Sequence, residues 1–329
     1  MNWFHLLLQR ISQPQSKLKA NPGTFARAAW AGLIILATVV ILYKFIADWP
    51  QLRAISWRLS LKSILLSFGI YSINLLLTAS CWALIIGHLT GARTFWEHVR
   101  LFCLTNLAQR LPTPLPYITA RAEAYASHGV RREITLTAMT IEIAVILIGA
   151  VIVALVTSSF GAYALNIQRR LLLIFLLPLL LLVLLPERFL CTVNLLLSRL
   201  GRPKLTTHFR RRQILAWIGL FVIIWVNSGV LYYFLISSII IIPPERVLFL
   251  INISALSGIA GWLGQILFFL PTPAVRQIAL IYLMNLDFPM PTAVAFALLF
   301  RFIVMLFELI WAGVWLAIPA LFKWGVTDS

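Results

Sequence analysis

Three ionisable side chains stand where a bilayer-spanning chain tolerates them least: Glu142, Arg301 and Glu308, each inside a long apolar run. A charge at the middle of such a run costs about 2.5–3.5 kcal/mol on insertion scales, so it faces protein, a partner or water rather than acyl chains. Glu308 follows Arg301 by two helical turns and lies on roughly the same face. These residues form either a charged lining for a polar or zwitterionic headgroup or a buried ion pair that fixes helix packing. A second group surrounds the tetrapeptide Leu-Pro-Thr-Pro, which occurs at 111–114 and again at 270–273, with Arg110, Arg121 and Arg276 beside the two copies. The arginine fork matches phosphate oxygens, and helix ends beside a break offer unpaired N–H groups to anions. The plainer alternative is that Arg121 and Arg276 snorkel to the membrane surface.

The elements that must position these side chains are apolar helices. Of 329 residues, 61% are hydrophobic and only 11% are charged, against roughly 25% charged in a soluble domain. Six segments read as spans: 28–47, 63–87, 134–157, 170–185, 214–242 and 293–318. Two further segments, 95–116 and 247–270, are apolar but run into the Leu-Pro-Thr-Pro copies. Proline removes a backbone donor and breaks helices, so Pro112, Pro114, Pro271 and Pro273 predict re-entrant turns, or, more simply, kinks in ordinary membrane helices. Eight helices result if both broken segments cross.

Sliding the sequence by about 159 residues superimposes the tetrapeptides and lays helix 134–157 on helix 293–316. Each half then holds two helices, a Pro-broken segment and a final helix. An odd number of spans per half makes the copies insert in opposite directions, the arrangement of many transporters, which bind their substrate near the repeat interface. The same shift carries Glu142 onto Arg301, so a Glu142–Arg301 pair across the halves is expected. The segments are therefore 1–27, an N-terminal stretch; 28–160, a first repeat; 161–320, a second repeat with a basic loop at 186–212; and 321–329, a tail.

The 27 Lys and Arg against 10 Asp and Glu give a net charge of +17. No nucleic-acid recognition motif accompanies it, so the excess is assigned to loops that face anionic lipid on the cytoplasmic side. That bias places both termini in the cytoplasm and the protein in the cell membrane. A full crossing by 247–270 would move the C-terminus to the other side. Met1–Leu8 is apolar but short, with no small-residue cleavage site after it. Cys81, Cys103 and Cys191 form no metal-ligand spacing, the five histidines are scattered, and Asp48, Asp287 and Asp328 stand alone. No nucleophile elbow or phosphate-cradling loop occurs, so no enzyme activity, metal or cofactor is expected.

From Asn106 the chain runs Asn-Leu-Ala-Gln-Arg-Leu-Pro, then Arg121, Gly129-Val130-Arg131-Arg132 and the helix of Glu142. The second half offers Pro271, Arg276-Gln277 and Ala-Leu-Leu-Phe-Arg301. These motifs, spread over 60–318, resemble the transmembrane region of lysylphosphatidylglycerol synthases and the related stand-alone flippase-like membrane proteins. The chain departs from that pattern at Thr272, Pro273 and Ala274, which replace the family's glycines, and at Gln277, which replaces its glutamate. No soluble synthase domain follows Trp324, so lipid aminoacylation is not expected. The resemblance implies a protein that moves a polar lipid between leaflets, with anionic or phosphate-bearing membrane lipids as partners. The alternative is a non-transporting membrane subunit of a glycosyltransferase that acts on lipid-linked sugars.

Overall fold

The computed structural model describes residues 60–91, 95–106, 115–159, 210–268 and 272–321, together with Arg58 and Cys191. Among the described residues every regular element is helical: α1 (Leu61–Thr90), α2 (Phe95–Asn106), α3 (Leu115–Ala126), α4 (Arg132–Ser158), α5 (Arg211–Ser237), a 3-10 turn (Pro244–Arg246), α6 (Val247–Phe268), α7 (Thr272–Met284) and α8 (Met290–Leu321). In lipid the backbone must satisfy its own polar groups, and an unbroken helix does so within one segment. Local signals fix the ends. The Ser60 hydroxyl accepts from the Ser63 amide to start α1, and Gly91, at φ 69°, closes it in a left-handed conformation that costs glycine little.

Among the described residues, five helical stretches are long and apolar enough to cross a membrane: Leu61–Thr90, Arg132–Ser158, Arg211–Ser237, Pro244–Gln265 and Met290–Ala317. The outward faces are oily, with Leu65 and Ile73 of α1 and Phe302, Leu306 and Leu309 of α8 exposed. A contiguous apolar exterior of this kind suits lipid rather than water. The chain is thus an all-helical, multi-pass membrane protein. Four of the six spans expected from sequence coincide with α1, α4, α5 and α8. The other two, 28–47 and 170–185, lie outside the described residues, as do the stretch 1–27 and most of the basic loop.

The two Pro-broken segments differ from each other. The described part of the first, α2, has 12 residues, roughly 18 Å of helix. α6 has 22 residues and is long enough to cross. The residues that follow α2, 107–114, lie outside the described residues; no proline or charge interrupts 247–268, whereas α2 carries Glu97 and Arg100. Pro112, Pro114 and Pro271 lie outside the described residues, and Pro273 sits in the first turn of α7.

α4 is the central helix, with 72% of its apolar window buried. It packs on α1, α3, α5 and α6. α1 packs on α2, α5 and α8, α6 packs on α5 and α7, and α8 also touches α2, α5 and α7. Small residues allow the closest approaches. A Cβ on Gly229 of α5 would fall 2.2 Å from the Ile251 Cα of α6, so only glycine lets these backbones meet. Polar side chains supply interhelical bonds where no water competes. The Asn252 amide of α6 donates to the Ala154 carbonyl and to the hydroxyls of Thr157 and Ser158 at the end of α4. The Trp225 indole of α5 donates to the Ile146 carbonyl at 3.0 Å.

Candidate functional site

Two arginine-centred arrangements meet near the middle of the bundle. The first is built by α1, α2, α3 and α4. Gly129, at φ 79°, turns the chain between α3 and α4, and the Val130 amide closes the turn on the Tyr125 carbonyl. This reversal brings Arg121 of α3 beside Glu142 of α4, with Nη1 2.7 Å from Oε2 and both side chains almost wholly buried. The guanidinium lies between two rings, its Cζ 4.3 Å from the Trp82 centroid and 4.5 Å from that of Phe102. Such stacking suits the planar, weakly hydrated guanidinium. The Trp82 indole donates to Tyr125 Oη at 2.8 Å, and that oxygen sits 3.2 Å from His98 Nδ1. Burial pushes the His98 imidazole below its ordinary value; neighbouring Glu97 opposes the shift and His128 adds to it.

Glu142 therefore pairs with Arg121 and not with Arg301, which corrects the pairing expected across the halves. The expectation rested on the repeat, whereas the ion pair is made between two consecutive helices by the turn at Gly129. Arg121 does not snorkel to a surface either, since its residue exposure is 0%.

The second arrangement faces a cavity of about 230 Å3 that all the long helices help to enclose. Glu142, Arg276, Arg301 and Glu308 all line it. Four of the residues singled out from sequence thus surround one hollow. Arg121 stands behind Glu142, and Arg110 lies outside the described residues. Arg276 is half-buried on the first turns of α7. Its Nη2 donates to Tyr232 Oη at 3.2 Å, and its Cζ lies 5.5 Å from the Trp225 ring and 5.8 Å from the Phe300 ring. Its Nε is buried and makes no hydrogen bond among the described residues. Glu308 is buried and accepts from the Asn106 amide of α2 at 3.3 Å. Gln277 lines the same space and donates to the Ala297 carbonyl of α8, tying α7 to α8.

Sequence reasoning missed a set of amides and hydroxyls at the wall. Asn74 of α1 donates to the Ser228 hydroxyl of α5 at 3.0 Å, and the Asn227 amide donates back to Asn74 Oδ1 at 2.9 Å. Asn74 and Ser228 line the cavity. An asparagine amid an apolar span was the available signal, since such amides seek partners across helices. Tyr232 and Trp262, also at the wall, carried no signal, because an aromatic in an apolar helix is ordinary.

Chemically the cavity can hold a small polar group. Its volume falls below the usual 300–1,000 Å3 of sites that bury a drug-sized ligand, which matches a headgroup rather than a whole lipid. Arginine donors supply orientation, and the rings of Trp225, Tyr232 and Phe300 line the wall beside Arg276. Among the described residues no group of three His, Cys, Asp or Glu side chains could hold a metal. No family model matches this sequence, no curated protein matches it, and no solved structure matches its fold.

Proposed function

We propose that this chain is a flippase-like membrane protein that holds a polar lipid headgroup between its two halves and passes it from one leaflet to the other. The observation that carries the reading is a polar cavity on which Glu142, Arg276, Arg301 and Glu308 converge. Intramembrane charges gathered around a hollow mark a substrate path more often than a packing device.

The packing of the helices supports a repeat. Exchanging α1 with α5, α2 with α6, α3 with α7 and α4 with α8 turns every helix pair in contact into another pair in contact, the α8 pairs with α1, α2 and α5 being the looser ones. The α1–α5 crossing is the pair that maps onto itself, and it carries the Asn74–Asn227–Ser228 cluster beside the cavity. A pseudo-twofold axis through that crossing accounts for both facts. Two halves related in this way would rock about the crossing and open the cavity to either leaflet, while the acyl tails stay in lipid. The resemblance to flippase-like proteins, carried by Arg121, Glu142, Arg276 and Arg301, points the same way.

The test is leaflet exchange. Purified full-length chain reconstituted in vesicles should exchange fluorescent phospholipids faster than protein-free vesicles, and Arg276→Gln should slow that exchange. No exchange across a panel of headgroups, together with stable co-purification of a soluble glycosyltransferase, would replace the proposal with the partner-subunit alternative.

A further inference from the structure

We infer that the seam between α1 and α8 is a side door through which a chain-bearing amphiphile reaches the cavity from the bilayer, and that the α4–α5 seam is its closed counterpart; the inference rests on the headgroup reading above. In the helix exchange described there, the α8–α1 pair answers to the α4–α5 pair. A strict twofold would pack the two seams alike, and they differ. α4 lies close against α5. A Cβ on Gly149 would fall 2.9 Å from Phe221 Cβ, so a small residue lets these helices meet. One turn away the Trp225 indole bonds the Ile146 carbonyl at 3.0 Å.

α8 meets α1 far more sparsely. The Phe307 ring lies 5.0 Å from that of Phe68 and 5.5 Å from that of Tyr71, and the Trp311 indole donates to the Ser72 hydroxyl at 2.9 Å. These contacts gather at a single crossing. Only 44% of the apolar window of α8 is buried, against 72% for α4. The first turns of α8 are docked, with the Phe296 and Phe300 rings 5.5 and 4.7 Å from the Tyr232 ring of α5. The part of α8 beyond Phe300 is therefore the part that can swing.

The position of the seam names its visitor. Asn74 and Leu75 of α1 and Arg301 and Val304 of α8 line the cavity, and Arg301 is also exposed. Its side chain thus stands where the cavity wall is incomplete, well inside the 32-residue α8. On either side the helices show oily faces, with Ile73, Phe302 and Leu306 exposed. A water-borne ligand arrives at helix ends, whereas an opening between two such faces admits one that already lies in lipid. A charge does not rest against acyl chains, so Arg301 at this mouth meets the polar end of the visitor while its chain stays in the seam. Exchanging the packing of the two seams generates the second state, with α8 zipped onto α1 and α4 parted from α5.

The probes are phosphatidylglycerol and phosphatidylethanolamine carrying a diazirine midway along one acyl chain, photolysed in nanodiscs with the purified full-length chain and mapped by mass spectrometry. Adducts are expected on Tyr71, Val304 and Phe307, and not on Ile146 or Phe221. Trp311→Phe, which keeps the ring and removes the bond to Ser72, should raise the α1–α8 adducts about threefold, the worth of one interhelical hydrogen bond. Gly149→Ala, which prises the closed seam, should bring adducts to Ile146 and Phe221. Bridging Ser72→Cys/Trp311→Cys with a bifunctional thiol reagent, in a background with Cys81, Cys103 and Cys191 replaced by alanine, should remove the α1–α8 adducts; the unaltered protein and Trp311→Phe decide the matter if that background fails to fold.

Equal labelling of both seams, or labelling confined to outward faces such as Ile73 and Phe302, would overturn the side door. If leaflet exchange persists in that case, the headgroup reading stands without it. Adducts at the α1–α8 seam in a protein that exchanges no lipid would uphold the door and remove transport.

Discussion

Two arginines sit on short helices of this bundle, each framed by a Trp, a Phe and a Tyr, yet their surroundings give them opposite availability. Arg121 is fully buried between Trp82 and Phe102, with Tyr125 bonded to Trp82, and its charge is met by Glu142 at 2.7 Å. Arg276 is half-buried near Trp225 and Phe300, bonded to the Tyr232 hydroxyl, and no carboxylate meets it among the described residues. Residue type alone does not make a binding site. A carboxylate within reach turns an arginine into a fastening; a phenol in its place leaves the charge for something else.

The largest expected effect comes from breaking the fastening. Glu142→Gln leaves Arg121 charged and buried beside a neutral amide, and should lower stability by about 3–5 kcal/mol, read from unfolding of the purified chain in detergent. The double change Arg121→Met/Glu142→Leu removes both charges and should recover much of that loss. Next comes the aromatic frame of Arg276. A Cβ on Gly258 would lie 1.9 Å from Trp225 Cη2, so Gly258→Ala should cost roughly 1–3 kcal/mol by overpacking and also weaken lipid binding by displacing the ring. Gly69→Ala, which meets nothing within 4 Å, should do neither and serves as the control.

Arg276→Gln separates the two roles more finely. It should lower phosphatidylglycerol affinity about tenfold, equivalent to ~1.4 kcal/mol, with a smaller change in the unfolding midpoint than Glu142→Gln produces. The smallest effect is expected at the crossing of α1 and α5. Asn74→Leu removes the bonds to Ser228 and Asn227, and interhelical bonds of this kind average about 0.6 kcal/mol in a membrane protein. Its signature should be a changed exchange rate rather than a large loss of stability, because the bonds lie at the proposed pivot.

Much of this arrangement was legible in the sequence. The apolar runs located α1, α4, α5 and α8, because a bilayer demands long unbroken helices. The energetic penalty on intramembrane charge drew attention to Glu142, Arg301 and Glu308, and the tetrapeptides drew attention to Arg276; all four line one cavity. What the sequence hid was the partner of Glu142. Repeat logic favoured Arg301, but a left-handed glycine, Gly129, folds α3 back on α4 and delivers Arg121 first. A pattern of apolar residues gives helix positions and not the angle at which a short helix returns. The aromatic frames were hidden for a related reason. Trp82, Phe102, Trp225 and Phe300 belong to an apolar background in one dimension, and only packing shows which rings face a guanidinium.

An electron-microscopy structure of the full-length chain in phosphatidylglycerol nanodiscs bears most directly on the claim that a lipid headgroup occupies the space between the halves. The expected result is phosphate density inside the cavity within hydrogen-bonding distance of the Arg276 guanidinium, with Arg121 still locked on Glu142. Ordered lipid confined to the outer surface, around a cavity sealed by an Arg276 or Arg301 side chain paired to a protein carboxylate, would contradict it.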